Sequence, residues 1–250
     1  NSLEVASSFQ DERIHIYTKE NEGVSAARNY GIMHAKYDYI AFLDADDIWE
    51  SDYLECQKKL IGTYPDAGIY STAFYSLEKG KRKLRNVLIN EHIHFLVHDY
   101  FKESVMNGLS ICWTSTLCLK KEVIKEIPMF RVGIKRGEDL VLWLRIALNY
   151  DVAYLNRPKV FYRTGLSDSL TSDYSKNGEF PYYEWFNFTS ESSYYRKYVI
   201  LVVYIHAKNA FIHHDYDTCL AELWSVKTIA WRFKWAERLL LLVISWIKSK

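Results

Sequence analysis

The segment Tyr39 to Trp49, YIAFLDADDIW, restricts this chain more than any other. Tyr39 to Leu43 is a short run of aromatic and branched residues, which predicts a buried strand. It ends in three carboxylates within four residues, Asp44, Asp46 and Asp47. Carboxylates at the end of a buried strand are costly unless positive charge meets them. Residues i and i+2 of a strand point the same way, so Asp44 and Asp46 are expected to aim at one spot. Such oxygen ligands suit a hard divalent cation, and Mg²⁺ completes its shell with water and substrate phosphates. The segment reads as a metal-diphosphate site at the C-terminal edge of a sheet, with a plain Asp-rich turn as the alternative.

The rest of the chain narrows the context. Its 250 residues, 49% hydrophobic and 25% charged, suit one large domain or a domain with a helical appendage. A formal net charge of +1 supplies no field for a nucleic-acid partner. Cys56, Cys112, Cys118 and Cys219 are scattered, so neither a zinc site nor a disulfide framework is expected, and a reducing compartment is the simpler reading. The opening residues, NSLEVASSFQ, are polar and helix-like and lack the pattern of a signal peptide.

In chain order, helix is expected at the start through Phe9, over Ser25 to Ala35, Asp52 to Ile61, Glu91 to Phe101 and Lys121 to Ile127. Asp52 and Glu55 have capping-box spacing. Strands are expected at Arg13 to Tyr17, Gly68 to Ser76, Thr114 to Leu119, Asp151 to Leu155 and Val160 to Arg163, with KGKRK a basic turn after the second. His94 and His98 share a face of the expected helix, but no carboxylate completes a metal set, and surface or partly buried histidines are the favoured reading. Glu138 and Asp139 precede an apolar face at helical spacing, Leu140, Trp143, Leu144, Ala147 and Leu148. Carboxylates there can simply complement the helix dipole and cap it. Thr164 to Phe180 is polar and reads as a lid-like loop.

From Pro181 the composition turns helical, with helices expected over Ser192 to His214, Tyr216 to Ala230 and Arg232 to Lys248. Leu239 to Ile247 is nearly all apolar, yet far short of the roughly 20 residues that span a bilayer. Lysines, arginines and tryptophans flank it, which suits peripheral membrane contact through residues 232–250. Packing on its own domain, or across a homodimer interface, is the alternative.

Two stretches together carry a resemblance. Asn21-Glu22-Gly23-Val24-Ser25-Ala26-Ala27-Arg28-Asn29-Tyr30-Gly31, followed by Asp44-Ala45-Asp46-Asp47, is similar to family 2 glycosyltransferases of the GT-A fold. Glu138-Asp139 falls where that family carries its acidic catalytic motif, and Val160 to Arg163 with Ser169-Leu170 resembles its next segment. The resemblance spans about Asn1 to Leu170. The family's usual opening strand with its Pro-x-Tyr-Asn-like motif, and its Asp-Gly-Ser motif, are not in this sequence. The expectation is that the first strands of the domain, and the contacts to the nucleotide base, are missing. The loop Thr164 to Asp168 has no histidine where many members have one, so a third protein ligand for the metal is not identified.

The resemblance implies an α/β GT-A fold, a Rossmann-like, mostly parallel mixed sheet flanked by helices. Residues 1–175 would form that domain and 181–250 a helical extension. It implies metal-dependent sugar transfer, with inversion, from a nucleotide-sugar donor to a glycan or lipid-linked acceptor in bacterial cell-surface polysaccharide assembly. The cofactor would be Mg²⁺ or Mn²⁺ on Asp46, with Asp44 on the metal or the ribose. Asn21, Gly23 and Arg28 would line the donor side, though Arg28 could instead pair with Asp44 or Asp47 and only shape the site. Asp139 is the expected catalytic base, with Glu138 second or in support. The expected location is cytoplasmic, peripheral on the inner face of the plasma membrane. A nucleotidyltransferase using the same carboxylates, and a degenerate, membrane-associated sugar-nucleotide binding module, are the competing readings.

Overall fold

The computed structural model describes residues 2–108, 110–134, 136–165 and 190–225, together with residues 245 and 248. Its centre is a seven-stranded sheet: β1 (Tyr39–Ala41), β2 (Ile48–Trp49), β3 (Ile69–Glu78), β4 (Lys81–Arg85), β5 (His94–Val97), β6 (Leu117–Lys120) and β7 (Val152–Thr164). The main path runs β1-β6-β3-β7-β2, with β4 paired to β3 and β5 to β7. The sheet is mixed, as expected, but it is not mostly parallel. Only β3 and β7 run parallel among the described strands, and the other pairings are antiparallel. The reason is partly local: β3 and β4 are joined by Lys79-Gly80, both at positive φ, and so tight a turn can only reverse the chain.

Helices α1 (Ser2–Ser7), α2 (Val24–His34), α3 (Tyr53–Thr63), α4 (Tyr100–Asn107), α5 (Lys121–Glu126) and α6 (Glu138–Ala147) fall between or beside the strands. Two more, α7 (Tyr195–Ile212) and α8 (Tyr216–Ser225), follow. The main core joins Ile69 and Tyr154 of the sheet, Trp143 of α6 and Tyr198 of α7, all fully buried. No helix among the described residues is long and apolar enough to cross a membrane. Apart from residues 245 and 248, both helical, the expected helix at 232–248 lies outside the described residues, as does nearly all of the lid-like loop.

Several local expectations give way to tertiary context. Arg13 to Tyr17 forms no strand: Asp11 turns back on Arg13, and Ile14 and Ile16 stay exposed with no ladder to join. Glu91 to Phe101 is not one helix, because residues 94–97 pair with β7, and the helix starts only where the Asp99 side chain accepts from Lys102 N at 2.9 Å. The two histidines part company there. His94 Nδ1 lies 3.2 Å from Tyr64 Oη, and His98 Nδ1 lies 2.7 Å from Asp151 Oδ2. Asp52 makes no capping bond and instead accepts from Lys159 Nζ at 2.5 Å. Thr114 to Thr116 is a 3₁₀ turn, and the expected basic turn extends into strand β4.

The two short strands expected around Arg157-Pro158 are one strand, β7, with an irregular register against β3. Proline cannot donate to a ladder, and such a bulge is where a strand tolerates it. At this point β7 changes neighbours, from β5 at Val152 to Leu155 to β2 at Val160 and Phe161. Asn156 bridges the gap with its side chain, accepting from Leu88 N at 2.8 Å and donating to Leu88 O at 2.9 Å. The C-terminal half of β7 is thereby carried to the acidic turn after β1.

Candidate active site

Strand β1 ends at Ala41, and the carboxylates sit in a turn closed by Asp47 N donating to Asp44 O at 3.0 Å. Asp44 and Asp46 are therefore not successive positions on one face of a strand, as the spacing suggested. Each has its own environment. Asp44 N donates to Ser115 Oγ at 3.0 Å, and Trp49 Nε1 donates to Ser115 O at 2.8 Å, so the 3₁₀ turn pins both ends of the acidic segment. On the other side Arg163 holds it: its backbone N–H donates to Asp47 Oδ1 at 3.1 Å, and its Nε donates to Asp46 O.

Arg28 joins the distant parts. Its guanidinium donates to Asp44 Oδ1 at 2.8 Å and to Glu138 Oε1 at 2.7 Å, with the arginine side chain only 12% exposed. The planar fork of arginine suits two carboxylates at once. The guanidinium also lies 5.3 Å from the centre of the Phe130 ring. Phe130 in turn packs edge-on against Phe42 and Trp143, so the clamp rests on core aromatics from three segments. The pair of Arg28 with Asp44 is present, and Glu138 is its second partner.

Glu138 and Asp139 open α6 after Gly137, whose φ of 71° is one that glycine adopts readily. Their position in the first turn complements the helix dipole, and four residues on from Asp139 the buried Trp143 anchors the helix. Asp139 Oδ1 accepts from Leu140 N at 2.7 Å, and Oδ2 accepts from Thr114 Oγ1 at 3.2 Å. Burial raises the proton affinity of both acids, with the neighbouring Asp139 adding to the effect on Glu138 and Arg28 opposing it on each. Asp47 is buried too. Burial pushes its carboxyl up to about 6, against the Ser115 hydroxyl and the Arg163 N–H. Tyr162 is raised to about 12 by burial and then by the carboxylates around it, Asp47 and Asp139 foremost.

The predicted residues thus divide. Arg28, Asp44, Glu138 and Asp139 come together, and Asp46 lies in the same turn as Asp44. Asn21 and Gly23 stay exposed at the start of α2, where Asn21 Oδ1 accepts from Gly23 N at 3.1 Å, and neither touches the carboxylates among the described contacts. Thr114 and Ser115 went unnoticed in the sequence because a TST run carries no signal beyond a strand or turn.

The metal expectation can be tested against the donor set. No group of three His, Cys, Asp or Glu converges among the described residues. The Asp46 carboxylate is half-buried and engaged by no hydrogen bond or ion pair among them. One free carboxylate beside a second, partly engaged one fits a cation whose remaining ligands are water and substrate phosphates.

Comparison with known proteins places the chain. The sequence model of glycosyl transferase family 2 matches residues 1–127. An uncharacterized glycosyltransferase of Haemophilus influenzae is 42% identical over 66% of this chain and 63% of its own length. A putative teichuronic acid biosynthesis glycosyltransferase, TuaG of Bacillus subtilis, is 30% identical over 65% of this chain and 61% of its own. A solved mannosyltransferase of Pyrobaculum calidifontis, in complex with GDP-Man and Mn²⁺, shares 14% identity with a TM-score of 0.49, over 92% of this chain and 67% of that one. The chain spans less than two thirds of the curated relatives named, and 23% of some longer ones. With the family's sequence model matching half of its length, this chain belongs to glycosyltransferase family 2.

Proposed function

We propose that the protein transfers a sugar from a nucleotide-diphosphate sugar to a hydroxyl of a glycan or lipid-linked acceptor, with inversion at the anomeric carbon. The observation that supports this reading is the Arg28 clamp, which ties the Asp44 turn to one terminal nitrogen of the guanidinium and Glu138, the neighbour of Asp139, to the other. Inverting transfer asks for that division: a diphosphate held on one side, a base for the acceptor on the other.

Asp139 is the base. It takes the proton of the acceptor hydroxyl as that oxygen bonds to the anomeric carbon, and the bond from that carbon to the nucleoside diphosphate breaks on the opposite face. Burial raises its proton affinity toward the range where a general base works well at neutral pH. The Thr114 hydroxyl and the Leu140 N–H hold the carboxylate in one orientation. Glu138 is the support: through Arg28 it fixes α6 relative to Asp44. A divalent cation, Mg²⁺ or Mn²⁺, held by Asp46 with help from Asp44, would offset the charge that develops on the leaving diphosphate. Asn21 and Gly23 border the donor side from the start of α2. A nucleotidyltransferase would have no use for a buried carboxylate across the clamp from the diphosphate side, which favours sugar transfer.

The polymer named for the Bacillus relative suits a role in cell-surface polysaccharide assembly. Contact with the cytoplasmic leaflet through residues 232–250 would bring a lipid-linked acceptor to the site. The test is a transfer assay with a panel of nucleotide-sugars in Mg²⁺ or Mn²⁺, comparing the protein with Asp139→Asn. Transfer falling by about 10²-fold, with donor binding kept, is expected for loss of a general base. Full transfer by Asp139→Asn, with Glu138→Gln inactive, would reverse the two roles.

A further inference from the structure

Strand β4 carries a band of positive charge, faced by one carboxylate, Glu78 opposite Lys81, and its rows lead across the sheet toward Trp113, the neighbour of the residue that holds Asp139. Strand β4, KRKLR, is exposed along its whole length. Its register with β3 pairs Arg85 with Phe74, Lys83 with Ser76 and Lys81 with Glu78. Alternation sets Lys81, Lys83 and Arg85 on one face, with Arg82 and Leu84 on the other. Two contacts identify the faces. Arg85 Nε donates to Ser76 Oγ at 3.3 Å, whereas Arg82 lies over the Phe161 ring at 4.7 Å.

The face with the three cations leads to the base. Ser76 pairs with Tyr162 of β7, so Lys83, Ser76 and Tyr162 form one row across three strands. At about 4.8 Å per strand the row is about 10 Å wide. Trp113 lies over this face, its ring 5.5 Å from Phe74 and 5.4 Å from Tyr162. Its Nε1 donates to Ser110 O at 3.1 Å, which fixes the indole while leaving the ring half-exposed. The next residue, Thr114, holds Asp139. Aromatic rings offer a surface that is apolar yet tolerant of polar edges, as a sugar ring requires. No carboxylate forms an ion pair with Lys81, Lys83 or Arg85 among the described residues, and the terminal nitrogens of Arg85 carry no hydrogen bond among them. The only apolar residue of β4, Leu84, is on the other face, so along β4 itself the cations are not interleaved with an apolar stripe of the kind membrane-surface binding uses.

We infer that the acceptor is an anionic glycan, its sugar stacked on Trp113 and Tyr162 beside Asp139 and its carboxylate or phosphate held by Lys83 and Arg85. This rests on the reading of Asp139 as the base. The test is calorimetric titration of the chain with a glucuronate-containing tetrasaccharide, its carboxyl-reduced neutral counterpart, and a short glycerol-phosphate oligomer. At least one anionic probe should bind, about tenfold more tightly than the neutral one, the size expected from two exposed charge contacts. Lys83→Gln with Arg85→Gln should erase that preference, and Trp113→Phe, which keeps a ring, should weaken all binding less than Trp113→Ala.

Failure of both anionic probes to bind, or equal binding of the neutral one, overturns the inference. So does sedimentation with phosphatidylglycerol vesicles that is lost in Lys83→Gln/Arg85→Gln, since that would make the row a lipid-headgroup surface. Charge preference without an effect of Asp139→Asn on transfer would discard the base assignment alone. Loss of transfer in Asp139→Asn without charge preference would discard the anionic acceptor alone.

Discussion

Replacing Asp47 by Asn should stabilise the protein, and the gain should grow with pH. Asp47 is buried, and burial lifts its carboxyl from 3.8 to about 6. The folded state therefore holds the proton more tightly than the unfolded state does. Below pH 4 both states are protonated and the ionisation costs nothing. Between about 4 and 6 unfolding releases a proton, so stability falls as pH rises through that window. Above 6 the charge is present in both states and the whole penalty stands, about 3 kcal/mol for a shift of this size. Asn cannot ionise, yet its carbonyl can still accept from Arg163 N, as Asp47 Oδ1 does at 3.1 Å. Relative to the unaltered protein, Asp47→Asn should be about equally stable at pH 4 and about 3 kcal/mol more stable at pH 7.5. Urea unfolding at pH 4, 5, 6 and 7.5 in chelator, with the slope checked for constancy, gives the comparison. A difference that does not change with pH, or a less stable Asn variant at pH 7.5, would refute the account of Asp47 as a buried, strained carboxylate.

Three further outcomes are expected. Asp46→Ala should abolish metal-dependent binding of a nucleoside diphosphate in calorimetry with Mn²⁺, while the fold survives; unchanged affinity would remove Asp46 from the metal site. Arg28→Met should lower stability at pH 7.5 by about 3–5 kcal/mol, the usual loss when a buried ion pair keeps only its acidic members, and a loss under 1 kcal/mol in urea unfolding would show the clamp to be solvated. Because burial already favours the protonated forms of Glu138 and Asp139, the Arg28→Met deficit should shrink as pH is lowered toward 5, and thermal melts at both pH values would register an unchanged deficit as a contradiction.

How far the residues alone carried depended on how local each signal was. The helical spacing of Ala26, Ala27 and Tyr30 predicted α2, and the acidic pair ahead of an amphipathic run placed the start of α6. The strand before the aspartates was visible in YIAFL, although its last two residues left the ladder. What sequence could not show was pairing at a distance. RIHIY alternates as well as any strand but meets no edge, while HFLV in a histidine-rich stretch reads as helix until β7 lies beside it. At the site, Arg28 was foreseen near Asp44, but its bond to Glu138 and the Thr114 bond to Asp139 belong to the folded state alone. The i, i+2 argument for Asp44 and Asp46 failed because the chain turns after Ala41, and a turn obeys no two-residue period.

Arg28 also bears on when the site exists at all. Its two partners lie 16 and 110 residues away along the chain. Closing the longer loop costs about 1.7 kcal/mol more entropy than closing the shorter, by the logarithmic dependence on length. During folding, the pair with Asp44 can form while the C-terminal half is still open, and the pair with Glu138 only after α6 docks on the aromatics behind Phe130. Until then the arginine has one carboxylate, and Asp139 has no fixed position near it. The clamp is thus completed late: a ribosome-bound chain that has exposed residues only through Lys120 lacks both Glu138 and Arg163, the residue that holds the acidic turn from its other side.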